Sequence, residues 1–319
     1  MQYRSRTKQE SKMLKPTLLT PARQSSQVTL FLYGESGVQK TTWASKILGS
    51  GLNVVVLDGD NSSHIYNQID PKQKERLYFF DLIDKGGKAE RNTDTTPSTM
   101  ANFLMRVKDK KEFKYDLTQR REVAIPSKDS ETIIWKPKDI LTHDTVLIID
   151  SWTAFVSSLV LRFYNAHDYD GYASMVKDKQ DMKLTQEHYQ WCGAQALCFA
   201  AAVKTLGCHV ICIGHDDKVH TTDKVTREIT STKTALLGVS RPNAHNTTKE
   251  FHDFFYMHRV RGVPYVQTAP KGDVQTQSRT TVIPPGDYDA QKELTVLKLF
   301  EKHNALPKDG REVKPLTFA

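Results

Sequence analysis

Gly34-Glu35-Ser36-Gly37-Val38-Gln39-Lys40-Thr41-Thr42, GESGVQKTT, follows the apolar run Val28 to Tyr33, and the reading of the chain starts from this stretch. It fits the template G-x-x-x-x-G-K-[ST], a loop delivered by a strand, whose backbone N–H groups ring phosphates. Lys40 then reaches the β and γ oxygens, and the Thr41 hydroxyl helps hold Mg²⁺. Gln39 stands where the template has its second glycine. That position commonly needs a positive φ or a close backbone approach, which a residue with a Cβ accepts reluctantly. Residues 34–42 are therefore expected to bind nucleotide, with fast hydrolysis less expected. Behind them Trp43, Ala44, Ile47 and Leu48 recur at helical spacing, and Gly49 and Gly51 end that helix.

At 319 residues, with 38% hydrophobic and 26% charged residues, the chain has the composition of a globular protein with a substantial core. No apolar run approaches the roughly 18 residues of a membrane span, and MQYRSRTKQESKMLK has no apolar signal core, so no membrane partner and a cytoplasmic location are expected. Cys192, Cys198, Cys208 and Cys212 show no Cys-x-x-Cys spacing and read as buried free thiols. A net charge of +8 suits polyanionic partners. Residues 1–26, basic and poor in apolar groups, read as a flexible arm, 27–285 as the core, and 286–319 as a C-terminal helix and tail.

Along the core, Asn53–Asp58 and Leu77–Leu82 read as strands, the first a continuous apolar run ending in an acid. Ser98 caps a predicted helix through Met100, Phe103, Leu104 and Val107. Residues 115–137 turn polar around two β-type runs, Val123–Ile125 and Thr132–Trp135, and read as an inserted surface hairpin. Thr145–Asp150 is a Walker B form, in which Asp150 binds Mg²⁺ through water close to Thr41. A long helix over Thr185–Leu206 and a strand over Cys208–His215 follow. Strands separated by helices, each ending in a functional side chain, predict an α/β fold with a mostly parallel sheet and its site at the carboxyl edge. Asp58, Asp150 and His215 are expected to converge on the nucleotide there. Phe254–Val260 and Val263–Thr268 flank Arg261-Gly262 as a late antiparallel hairpin, and Asp289–Asn304 reads as an amphipathic helix.

Over residues 15–280 the chain resembles the RecA-like P-loop ATPases of phages, which include single-strand-annealing recombinases. GESGVQKTTWA, TVLIIDSWTAF, VICIGHDDK and the stretch from LLGVSRP through FHDFFYMHRVRGVPYVQTAPKGDVQTQSR carry the resemblance. It implies a RecA-like core in which the strand after Walker B lies between the loop strand and the Walker B strand. It further implies ATP and Mg²⁺ as ligands, and His215 as a sensor facing the γ-phosphate. A carboxylate must orient the attacking water. Position 151 being Ser, Asp58 or Asp60 supplies it, Asp58 sitting on the strand end and Asp60 on a freer loop. Relatives complete the site across subunits with a Lys-x-Arg pair; the matching stretch here is Gln277-Ser278-Arg279, leaving Arg279 alone. Ring or filament assembly, single-stranded DNA and a phage single-strand-binding protein are the implied partners. DNA contact falls to Arg162–Lys183, which mixes Lys177, Lys179 and Lys183 with Tyr164, Tyr169 and Tyr172, and to Lys218–Arg241.

Three functions follow: an oligomeric ATPase of phage recombination or replication, a nucleotide-gated scaffold that hydrolyses poorly, and a small-molecule kinase. The last lacks an Arg-rich lid. Gln39, the missing Glu at 151 and the missing Lys before Arg279 together mark a site better equipped to hold nucleotide than to cleave it quickly.

Overall fold

The computed structural model describes residues 27–83, 99–118, 121–125, 131–166, 186–222, 229–236, 247, 249–272, 274–279, 282–308 and 311–318. The basic arm, Ser98, the side chains of Arg162–Lys183 and those of the cations between Lys218 and Arg241 lie outside the described residues. The strands are β1 (Thr29–Gly34), β2 (Asn53–Asp58), β3 (Leu77–Asp81), β4 (Phe113–Asp116), β5 (Arg121–Glu122), β6 (Thr132–Trp135), β7 (Thr145–Asp150), β8 (His209–Thr222), β9 (Ile229–Leu236), β10 (Asp253–Val260), β11 (Val263–Gln267), β12 (Gln277–Ser278) and β13 (Asp287–Asp289). The helices are α1 (Lys40–Ser45), α2 (Ser63–Asn67), α3 (Pro71–Lys74), α4 (Thr99–Asp109), α5 (Pro137–Ile140), α6 (Trp152–Ala166), α7 (Gln186–Val203) and α8 (Val296–Lys302).

Every residue of β1, β2 and β7 is buried, as continuous apolar runs require when both faces of a sheet are covered. The main sheet runs β13-β11-β10-β1-β8-β7-β2-β3, with β12 added to β10 and β9 to β8. From β10 to β3 all neighbours are parallel. β8 thus lies between the loop strand and the Walker B strand. Phe31, Leu147 and Cys212 point into one core layer with Trp152, Phe155 and Phe199 of α6 and α7. Leu30, Ile148 and Ile211 point into the other, with Trp43 of α1 and Leu299 and Phe300 of α8.

Several boundaries differ from expectation, each for a physical reason. The insert forms a three-stranded sheet, β5-β4-β6, in which Thr132–Trp135 pairs with Phe113–Asp116 and not with Val123–Ile125. Its inner face is no surface feature. Trp135 is fully buried, with ring centroids 4.9 Å from Phe103 and 5.6 Å from Phe80. The strand over 208–215 continues to Thr222, leaving the main sheet to pair with β9 as a ribbon where a loop was expected. At the C-terminus the helix is confined to Val296–Lys302, because Asp289 belongs to β13 and its side chain accepts from the N–H groups of Gln291 and Lys292. Cys192, Cys208 and Cys212 are buried, whereas Cys198 is exposed.

The C-terminal segment is built into the fold. Residues 311–318 cross the amino edge of the sheet, where Arg311 meets Asp144 at 2.6 Å and the Asn53 side chain donates to the Lys314 carbonyl at 2.8 Å. Phe318 then packs beside Tyr78, Phe80 and Trp135. Val313 belongs to the opposite layer, so this strap ties both faces together.

A single imidazole pins the amino end of β8. His209 Nδ1 accepts from the Val28 N–H at 3.0 Å, which leaves Nε2 to donate to the His143 carbonyl at 3.0 Å. Burial lowers its pKa from 6.5 to about 4, against the opposing pull of that carbonyl. The unfolded chain therefore takes up a proton that the native chain refuses. His209's contribution to stability is whole above pH 6.5 and drains as the pH falls towards 4. Denaturant unfolding across this window is expected to show a slope of up to about 1.4 kcal/mol per pH unit from this residue, and His209→Gln, with no proton to gain, should flatten it.

Candidate functional site

The parallel register brings the ends of four strands level. Gly34 pairs with His215, Asp58 with Asp150, and Asp150 with Ile213, so β1, β7 and β2 end, and β8 leaves the main sheet, along one carboxyl edge. Gly34 is required there by packing. A Cβ on it would lie 2.0 Å from the Met257 carbonyl oxygen of β10. Left-handed turns at Gly37 (φ 79) and Gln39 (φ 73, ψ 29) then curl the chain into α1. Glu35, Ser36 and Gln39 are exposed, Thr42 is half-buried, and Val38 is buried against the α1 side of the core. Gln39 occupies the conformation that the missing glycine would adopt freely, at a cost of roughly 1–2 kcal/mol for a residue with a Cβ.

Lys40 lies 5% exposed, its ammonium donating to the Gly34 and Glu35 carbonyls at 2.7 Å each. Burial lowers its pKa to about 8, although Asp216, Asp150, Asp60 and Glu35 all pull the other way. Thr41 Oγ1 donates to Asp150 Oδ2 at 2.8 Å. The Asp150 carboxyl is raised to about 6, first by burial and then by Asp60 and Asp58, with the Thr41 bond opposing. Crowded carboxylates beside a hydroxyl are hard oxygen donors whose mutual repulsion a divalent cation relieves, so Thr41 and Asp150 fit Mg²⁺.

The two acids after β2 separate in role. Asp58 is fully buried, and its carboxylate accepts from the N–H groups of Asp60 and Ser62 and from the Ser62 hydroxyl. It shapes the turn behind the site, and its strand-end position does not carry it into the cleft. Asp60 does reach the cleft, with Oδ2 2.9 Å from His215 Nε2. Burial alone would raise the Asp60 carboxyl, but bonds from His215 and Ser151 outweigh it and hold the group below its ordinary value. The His215 N–H is tethered to Thr153 Oγ1 at 3.3 Å. Lys40, Thr41, Asp60, Asp150 and His215 line one cleft of about 750 Å³, which runs on between α1 and α2 past Lys46, His64 and Gln68. That volume suits a drug-sized or nucleotide-sized ligand.

Arg279 is not brought to this edge. Its N–H donates to the His252 carbonyl, and Ser278 pairs with Asp253 at the start of β10, the amino end of the sheet. The arginines on the phosphate edge are Arg259 and Arg261. Met257 is level with Gly34, and the β10–β11 hairpin continues past it through Val260 and Val263. Its tip stands roughly 10 Å beyond β1. Arg261 (φ 50) and Gly262 (φ 84) make a tight left-handed turn, and Arg259, Arg261 and both valines are exposed. Reading the sequence for a pair at 277–279 overlooked R-x-R two residues after Met257. It also overlooked Thr153, three residues after Asp150, and Asp216, next to His215.

A buried lysine at the end of a glycine-shaped loop, beside a hydroxyl–carboxylate pair made by Thr41 of α1 and Asp150 of β7, defines the site of a P-loop NTPase. Residues 26–242 match the AAA domain family, more than half of the chain, and the chain belongs to that family of nucleotide-binding ATPases. No curated protein matches it.

Replacing Gln39 by glycine removes the left-handed penalty but adds roughly 0.5–1 kcal/mol of backbone entropy. Gln39→Gly is therefore expected to stabilise the native chain by about 0.5–1 kcal/mol in denaturant unfolding, with nucleotide affinity kept or improved.

Proposed function

We propose that this protein is a slow, Mg²⁺-dependent, RecA-like ATPase that works in phage DNA recombination or replication, bound to single-stranded DNA as a ring or filament. The observation that carries the reading is the position of β8 between β1 and β7, the order the resemblance implies, which sets His215 level with the loop strand. Lys40 holds the β- and γ-phosphates once these replace the loop carbonyls as its partners. Thr41 and Asp150 hold Mg²⁺, which neutralises phosphate charge when bound. Asp60, rather than Asp58, orients the attacking water. His215 reads the terminal phosphate. An Asp reaches less far than a Glu, and the strained Gln39 also favours slow turnover.

The trans contact, expected from Arg279, we assign to Arg259 and Arg261. Two exposed guanidinium groups on a tight hairpin at the phosphate edge suit a neighbouring copy's nucleotide, as arginine fingers do. The net charge of +8 and the cation–tyrosine mix over 162–183 support single-stranded DNA as the polymer bound, with a phage single-strand-binding protein as a further partner.

A second reading, a nucleotide-gated scaffold, draws on the same features that slow the chemistry. ATPase turnover with and without single-stranded DNA, together with a sizing run in each nucleotide state, separates the two. Turnover stimulated by DNA in an oligomer is expected; binding without phosphate release supports the scaffold. ATP should raise the melting temperature of the wild type and not of Lys40→Ala, and absence of any nucleotide-dependent shift in the wild type sinks both readings. Arg259→Ala and Arg261→Ala should each lower turnover on the order of tenfold or more while leaving nucleotide affinity of the isolated chain unchanged. Arg279→Ala should leave turnover intact.

A further inference from the structure

The polar atom best suited to meet a terminal phosphate is already engaged. His215 Nε2 faces Asp60 Oδ2 at 2.9 Å, and both side chains are 29% exposed, on the wall of the cleft. Both partners adjoin the start of α6. Ser151, beside Asp60, helps hold that carboxyl below its ordinary value, and the Thr153 hydroxyl takes the backbone N–H of His215. Ser151 and Thr153 stand at the start of α6, where the Ser151 hydroxyl also accepts from the Ala154 N–H. The first turn of α6 therefore stands beside the Asp60 carboxylate and tethers the backbone that carries His215.

Resting on the ATPase reading above, we infer that His215 is a positioning residue for Asp60: it holds the carboxylate in a latch that the terminal phosphate of a nucleoside triphosphate opens by taking the imidazole. One ring nitrogen cannot serve the carboxylate and a phosphate oxygen together, so the two compete for it. With the latch closed, Asp60 spends an oxygen on the imidazole and is poorly free to orient water. With a triphosphate bound, His215 turns to the phosphate and Asp60 is released beside it. A nucleoside diphosphate has no oxygen at that position and leaves the pair closed. The device ties hydrolytic competence to the presence of the third phosphate, and it requires only that the phosphate interact differently with the two arrangements.

The test uses the full chain labelled with ¹⁵N in its imidazoles, His215 being assigned by comparison with His215→Gln. The His215 signals are expected to stay in place with Mg·ADP and to move with Mg²⁺ and a non-hydrolysable ATP analogue. In Asp60→Ala, where no latch has to open, the affinity ratio of analogue to ADP should rise about tenfold over wild type. His215 signals that stay put while the analogue binds, or a ratio unchanged in Asp60→Ala, overturn the latch alone. A chain that binds neither nucleotide overturns the latch and the ATPase reading together.

Discussion

Among the described residues, the carboxyl edge of this sheet gathers more carboxylates than cations around the lysine of the loop. Asp58, Asp60 and Asp150 come together there, with Asp216 and Glu35 close enough to act on the single buried ammonium of Lys40. Each group records the imbalance. Lys40 is pulled down by burial despite four acids nearby, and Asp150 is pushed up by burial and by its two neighbours. A polyanion meeting Lys40 and a cation meeting Thr41 and Asp150 repair both faults together. The rest of the fold serves to keep these groups close: parallel register levels the strand ends, Gly34 lets β1 approach β10, and Asp58 turns its oxygens onto the Asp60–Ser62 backbone to shape the loop that carries Asp60.

Most of the central strands were legible because they are buried on both faces. Asn53–Asp58 and Thr145–Asp150 read as unbroken apolar runs, and both boundaries hold. Where burial is one-sided the signal weakens. Phe113 and Tyr115 alternate with Lys114 and Asp116, so β4 hid within a polar stretch even though its aromatic residues belong to the main core. The site was legible in its chain order but not in its side-chain directions. Asp58 and Asp60 differ by two residues, and which one enters the cleft depends on a turn that closes through Ser62. Arg279 shows the same limit on a larger scale, since nothing local says that β12 returns to the start of β10 and not to its end.

The two layers of the core divide the work. On the α1 side, Trp43, Ile47 and Phe300 fix the helix that follows the phosphate loop, and the Trp43 indole N–H donates to the Leu294 carbonyl at 3.0 Å. On the other side, α6 leaves the end of β7 directly after Asp150, so any shift of Ser151 or Thr153 is carried into a helix packed against α4 and α7. Rigid packing makes that helix a lever and not a spring, because interiors at crystal-like density transmit strain instead of absorbing it.

Gln39 shows how a loop can tolerate a residue that its geometry disfavours. Its side chain is exposed, so the left-handed conformation costs only local backbone strain and displaces nothing in the core. The Gln39 carbonyl still accepts from the Trp43 N–H at 2.9 Å, and α1 therefore begins in register with Lys40 and Thr41 correctly aimed. The strain is confined to the one peptide that must stay near the phosphates. A backbone held there at roughly 1–2 kcal/mol of cost accommodates small adjustments near the phosphates less readily than glycine would, and it does so without altering the Lys40 bonds to the loop carbonyls. Gln39 thus departs from the template without entering the side-chain contacts of Lys40, Thr41 and Asp150, and its strain is separate from theirs.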